Sequence, residues 1–253
     1  MTIALGFALA IVIGLLAYRA GALDGSGAIA ATAVGTAVFA TQGWVGATVL
    51  LAFFIPASAL SHLSRRAAVD GEQNARRNAA QVLANGGIAA VCAVGAAAIG
   101  PPFAAGFAGA FAAAAADTCA TEIGMRFGGA PVSLVNFRRV AAGRSGGVTI
   151  AGTLASVAGA AIVAAIASAF HLAPFRAVAV GGVAGAVADS LLGATLQSVR
   201  WCPVCRCECE ASRHFCGSAT SLRRGVGWIQ NDAVNVAATL CGAIVTMLAL
   251  RSP

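Results

Sequence analysis

Four acidic side chains, Asp117, Glu122, Asp189 and Asp232, stand at the ends of long runs of alanine, glycine and valine. A carboxylate there is costly to bury, so it faces a bundle interior, a partner group or an ion. The segment GAFAAAAADTCATEIG (109–124) is echoed by GGVAGAVADSLLGATLQ (181–197): small residues, then Ala-Asp-Thr or Ala-Asp-Ser. On a helix, Asp117 shares a face with Thr121, and Thr118 shares another with Glu122. Carboxylates and hydroxyls beside the glycines at 128–129 suit Mg²⁺, which takes few carboxylates and completes its shell with water and substrate phosphates. The competing reading is a helix end whose acids bind neighbouring backbone. The likeness of the two blocks suggests an internal repeat that sets two Asp-bearing helices side by side. Chance likeness of two Ala-rich helices is the alternative.

Three further polar sets join these acids. Asn231 and Asn235 fall on one helical face with Asp232 beside them, a group able to contact a metal, a ribose or a base edge, or simply to cap a helix. Asn78, Gln81 and Asn85 recur at spacings of three and four. In a membrane helix such an amide stripe must face protein, water or ligand. Arg138, Arg139 and Arg144 flank Gly143 and Ser145-Gly146-Gly147; arginine forks and glycine amides at a helix start both bind phosphate oxygens. There is no Walker sequence, so a P-loop is excluded.

Most of the eight cysteines crowd into Trp201-Cys-Pro-Val-Cys-Arg-Cys-Glu-Cys209 and Cys216. Cys202, Cys205, His214 and Cys216 form a CxxC…HxC set for a tetrahedral ion, with zinc its natural occupant and a structural role expected from four closed ligands. Cys207 and Cys209 are surplus and can replace a ligand.

These residues need a membrane to position them. The chain has 253 residues, 59% of them hydrophobic and only 10% charged, with a mean hydropathy of +0.85. Soluble domains carry roughly 25% charged residues, so an ordinary soluble fold is excluded. The pattern predicts an all-α polytopic bundle: one membrane domain over 1–253, with a cytoplasmic Cys-rich loop at 199–228. About eight spans are expected, with seven the alternative, near 2–18, 26–41, 44–62, 82–99, 103–121, 147–170, 176–197 and 229–250. The first run lacks a basic start and a cleavage site, so it is expected to be retained as a span.

All sixteen basic residues are arginine. With eight alternating spans, fourteen of them fall on one side and only Arg176 and Arg251 on the other. The positive-inside rule makes the crowded side cytoplasmic and the compartment the cell (inner) membrane. Asp24, Asp117, Glu122, Asp189 and Asp232 all converge on that face. The net charge of +7 therefore reads as topology. With no aromatic-basic platform for stacking bases, nucleic acid is not an expected partner.

The motifs AxADTxATExG (114–124), GGxxG…ADSLLGATLQ (181–197), CPxC…HxCG (202–217) and NDxVN (231–235) together resemble an integral membrane family. That family includes transmembrane protein 19 and the plant phytyl-phosphate kinase of vitamin E and phylloquinone synthesis, and it looks related to the polyprenol kinases and phosphatidate cytidylyltransferases. The resemblance implies an Mg²⁺-dependent transfer of the γ-phosphoryl group of CTP or ATP to a prenyl monophosphate in the lipid bilayer. On that footing Asp117 and Asp189 are expected to hold Mg²⁺, with Glu122 as ligand or orienting group. Arg138, Arg139 and Arg144 would hold phosphates. Asn231, Asp232 and Asn235 would contact metal or nucleotide. Asn78, Gln81, Asn85, Ser145 and Asp24 would complete the nucleotide and substrate site, and zinc would staple the Cys-rich loop. A carrier with a mid-membrane site and a cytidylyltransferase acting on a lipid phosphate are the alternatives. Acids gathered near one face favour an enzyme over a carrier.

Overall fold

Alanine is the strongest helix former, and in hydrocarbon a helix satisfies every backbone group within its own segment. The apolar runs accordingly form seven helices in a computed structural model, which describes residues 2–67 and 76–250. They are α1 (Thr2–Arg19), α2 (Gly25–Ala67), α3 (Ala79–Ala98), α4 (Pro101–Phe127), α5 (Ile150–Ala169), α6 (Phe175–Thr195) and α7 (Asn231–Ala249). Six are long and apolar enough to cross a membrane, and α1 is a shorter apolar helix. Arg251 and the side chains of Arg65 and Arg66 lie outside the described residues.

The second and third expected spans are one element, α2. A straight helix of 43 residues would run about 65 Å, twice the roughly 30 Å of hydrocarbon. The chain leaves the helical region at Gly43, with φ 60° and ψ −146°. Arg77 shows what this break does. Its backbone carbonyl accepts from the amide of Asp24, at the start of α2, at 3.0 Å. Its guanidinium donates to Ser61 Oγ at 2.9 Å, near the end of α2. Both ends of α2 therefore lie at the same end of the bundle, and its halves account for two of the eight expected passes.

Helix ends show why the chain stops and starts where it does. Asn78 accepts from the Gln81 amide while the Gln81 side chain accepts from the Asn78 amide, a reciprocal cap on α3. Thr149 Oγ1 caps α5 by accepting from the Gly152 amide at 3.0 Å. Pro101 and Pro102 open α4, where no intrahelical N–H is needed.

The core is α4, buried along most of its length from Ala105 to Ala116 and packed against α2, α3, α5, α6 and α7. Small residues let backbones meet in lipid. A Cβ on Gly242 would lie 2.6 Å from Ala113, 2.8 Å from the Gly109 carbonyl and 3.2 Å from the Gly181 carbonyl. Thus α4, α6 and α7 touch backbone to backbone there.

Between the helices lie two small sheets that an all-α expectation does not include. β1 (Val132–Ser133) pairs antiparallel with β2 (Gly147–Val148). In the Cys-rich loop, β3 (Val199–Cys202) is flanked by β4 (Cys207–Cys209) and β5 (Ser221–Arg224), in the order β4-β3-β5.

Candidate functional site

Asp117 comes from α4 and Asp189 from α6, and their carboxyls are hydrogen-bonded to one another. Two carboxylates this close need a proton or a cation between them. Among the described residues neither is ion-paired, and Asp189 Oδ2 is buried with no hydrogen-bond partner.

Both line a cavity of roughly 300 Å³. Thr121, one turn beyond Asp117, lines it too, with Thr149 and Ser156 of the α5 side and Asn231 at the head of α7. Residues 142–149 cover it. This stretch turns on Gly143 and Gly146, each at φ 79°. A side chain on Gly146 would collide with the backbone of Ala194 on α6, so only glycine lets the loop lie so flat against that helix. Arg144 and Ser145 follow the loop into the cavity. Arg144 pairs with Glu208 at 3.6 Å, yet its Nε is buried without a partner. Two residues lining the cavity thus each carry an unmatched buried atom, an acceptor on Asp189 and a donor on Arg144.

The other expected site residues sit elsewhere. Glu122 faces α2: its Oε1 accepts from Ser61 Oγ at 2.6 Å, and Ser61 accepts in turn from Arg77. Arg138 and Arg139 lie exposed between β1 and β2. Gln81 and Asn85 line a second cavity of roughly 50 Å³ with Arg77, Phe53 and Phe111, and Asn85 Nδ2 donates to the Gln81 carbonyl at 3.0 Å. Asn78 is spent on the α3 cap. Asp24 caps α2, its Oδ1 accepting from the Gly27 amide at 2.7 Å and from Ser26 Oγ at 2.8 Å. Asp232 is half-buried and Asn235 buried in the first turns of α7, and neither reaches the cavity wall.

Two cavity residues were not among the expected site residues: Gln197, although it closes the ADSLLGATLQ block, and Glu210. Gln197, buried just past α6, donates to Glu210 Oε1 at 2.6 Å. Ser145 Oγ donates to the same oxygen at 2.8 Å. Glu210 sits in the Cys-rich run, where spacing speaks only for the thiols.

In that run the donor atoms of Cys202, Cys205, His214 and Cys216 all lie within 4.8 Å of one another and can hold a metal ion. His214 turns Nδ1 toward Cys216 Sγ at 3.2 Å and Nε2 toward Cys207 Sγ at 3.5 Å. The Cys205 amide donates to Cys202 Sγ at 3.4 Å. Cys209 Sγ lies 3.8 Å from the Ala211 carbonyl.

The fold and this cavity define a multi-pass integral membrane protein with a paired-acid site at one end of its bundle. The chain belongs to the integral membrane protein family DUF92, which it matches over residues 8–243. It is 31% identical to protein PGR of Arabidopsis thaliana, covering 92% of this chain and 90% of that one. It is 29% identical to an uncharacterised membrane protein of Methanocaldococcus jannaschii, over 94% and 90% of the two chains. With the chloroplastic protein VTE6 of Arabidopsis thaliana it shares 26% identity, over 89% of this chain and 65% of that one. No solved structure matches the chain.

Proposed function

We propose that this protein is a membrane kinase that moves the γ-phosphoryl group of CTP or ATP onto a prenyl monophosphate. The observation that carries the reading is a pair of buried groups without hydrogen-bond partners on residues that line one cavity: Asp189 Oδ2 beside Asp117, and Arg144 Nε in a glycine-rich loop. The first suits a cation and the second a phosphate, which is the composition of an Mg²⁺–nucleotide complex. The choice of a prenyl phosphate as acceptor follows from the motif resemblance to the phytyl-phosphate kinase family and from VTE6 among the relatives.

Asp117 and Asp189 would hold Mg²⁺, which neutralises charge on the transferring phosphoryl group when bound. Arg144, the amides of 143–147 and Ser145 would hold phosphate oxygens, and Asn231 would reach the nucleotide or its metal. An acceptor phosphate oxygen attacks the γ-phosphorus, the bond to the β-phosphate oxygen breaks, and the nucleoside diphosphate leaves. Such transfer depends mainly on positioning and electrostatics, so no general-base histidine is required. Val157 of α5 and Val187 of α6 line the cavity and are about half exposed. The gap between these helices would admit the prenyl tail from lipid. Zinc is the ion proposed for the Cys/His cluster, in a structural role, and the cavity face is proposed to be cytoplasmic.

Purified protein in detergent with Mg²⁺, γ-labelled ATP or CTP, and phytyl or geranylgeranyl monophosphate tests the reading. Label entering a lipid diphosphate, with release of nucleoside diphosphate, is the expected result. Labelled pyrophosphate released from CTP, with the lipid left unlabelled, would make the protein a cytidylyltransferase. No transfer with any pair would turn the cavity over to the carrier reading.

A further inference from the structure

We propose that the Cys/His ribbon is a metal-set clamp on the glycine-rich loop, acting through Glu210 as a positioning residue. This rests on the cavity of Asp117 and Asp189 being the working site, and not on which acceptor it serves.

The ribbon cannot hold its own shape. Its strands have four, three and four residues, and sheets this small are marginal without a staple. The four convergent donors supply one: bound metal would contribute its binding energy directly to folding the β3–β4 turn. Cys202 ends β3, Cys205 lies in the turn and Cys207 opens β4 in register with Cys202. Fixing that turn fixes the path of β4 and the residues just after it.

What β4 delivers is two carboxylates. Glu208, paired across the ribbon with Trp201, reaches Arg144 at 3.6 Å. Glu210 accepts from Ser145 Oγ at 2.8 Å and from Gln197 Nε2 at 2.6 Å. It thereby bridges the loop to the end of the helix that carries Asp189. The ribbon's far edge is tied to the same helix end. Arg224 of β5 donates to the carbonyls of Ala194 at 2.8 Å and Gly193 at 3.1 Å, where a cation is favoured at a helix C-terminus.

The loop needs this grip. Glycines lose more conformational freedom on ordering than any other residue, and 143–147 holds three of its five positions as glycine. Two turn contacts shape its backbone, Arg144 N–H to Ala141 O at 3.2 Å and Gly147 N–H to Arg144 O at 3.1 Å. The remaining side-chain restraints on Arg144 and Ser145 come from the ribbon.

The test combines zinc content with hydrogen exchange on the full-length protein in detergent, comparing wild type, Cys205→Ser and Glu210→Ala. Wild type is expected to carry about one zinc per chain. Cys205→Ser should lose it, and exchange in 143–149 should rise severalfold while the opposite end of the bundle, 98–103, is unchanged. Glu210→Ala, which deletes the acceptor of both bonds, should keep the zinc and a protected ribbon, yet show the same loosening of 143–149. Its KM for nucleotide should rise about 10-fold or more, with a smaller change in kcat. A zinc-free Cys205→Ser protein whose loop stays protected, a Glu210→Ala loop that exchanges as in wild type, or wild type without zinc would each overturn the clamp. Should Cys205→Ser fail to fold, Glu210→Ala alone decides. Loosening as expected, in a protein that transfers no phosphoryl group, would leave the clamp standing and remove the kinase.

Discussion

Asp117 and Glu122 are five residues apart on α4, which places them about 140° apart around the helix axis, and their surroundings differ accordingly. Glu122 is joined through Ser61 to Arg77, so a fixed cation of the protein sits in its network and ties α4 to α2. Asp117 is hydrogen-bonded to another acid, Asp189, at the edge of a cavity, and among the described residues it has no ion-pair partner. A carboxylate with its own arginine nearby has a structural explanation. An acid pair without one calls for a cation that comes and goes.

The largest expected effect breaks or upholds that contrast directly. Asp117→Asn and Asp189→Asn should each lower phosphoryl transfer by at least about 100-fold, the scale of removing one electrostatic group from a reacting centre. Glu122→Gln should leave transfer within a few-fold of wild type. Equal damage from all three would mean that the two sides of α4 serve one site.

The same contrast extends to the arginines. Arg144→Ala should weaken nucleotide binding about 10- to 100-fold, because a charge-assisted hydrogen bond contributes about 1.5–3 kcal/mol. Arg138→Ala and Arg139→Ala, at exposed positions of the same loop, should change the measured KM less than about 2-fold, as exposed charges contribute about 0–1 kcal/mol.

How much of this was legible beforehand depends on whether the signal was local. The passes were legible because arginines mark helix ends and Gly43 marks the break in α2. The Cys202, Cys205, His214 and Cys216 set was legible because ligand spacing is short-range. The repeated Ala-Asp-Thr and Ala-Asp-Ser blocks pointed to α4 and α6, whose acids do meet. The face of Glu122 was not legible. From Ala105 to Ala116 α4 is small and apolar on every side because it is buried there on every side, so no polar stripe leading up to Glu122 sets its rotation. Nor was Glu210, whose contact with Ser145 crosses 65 residues of sequence. Arg138 and Arg144 look equivalent in a basic cluster, and only the turns at Gly143 and Gly146 separate the exposed one from the one in the cavity.

Two glycines of positive φ sharpen the comparison between loop and bundle. Gly146→Ala should destabilise by about 1–3 kcal/mol, since both the backbone angle and Ala194 oppose a side chain. Gly129→Ala, at φ 67° with open space around its Cβ, should cost only the conformational part, about 1 kcal/mol. Thermal unfolding in detergent reads both. Ser61→Ala, which removes the hydroxyl between Arg77 and Glu122, should cost about 1 kcal/mol by the same measurement and leave the Asp117 side untouched.

The smallest effect concerns the acid at the edge of the bundle. The Gly27 amide and the Ser26 hydroxyl both donate to Asp24 and hold its carboxyl below the usual carboxylate range. Because the folded pKa is lower than the unfolded one, the charged cap stabilises α2 above the unfolded value, near 4. That contribution disappears as pH falls through the folded value. Asp24→Asn keeps a side-chain acceptor for the Gly27 amide, since asparagine is also a good cap, but cannot titrate. The melting temperatures of wild type and Asp24→Asn should therefore differ slightly at pH 7 and converge as the pH is lowered below 4. A gap that widens on acidification would mean that Asp24 is held protonated by its neighbours, and that its place is with the unpaired acids of the cavity rather than with the anchored Glu122.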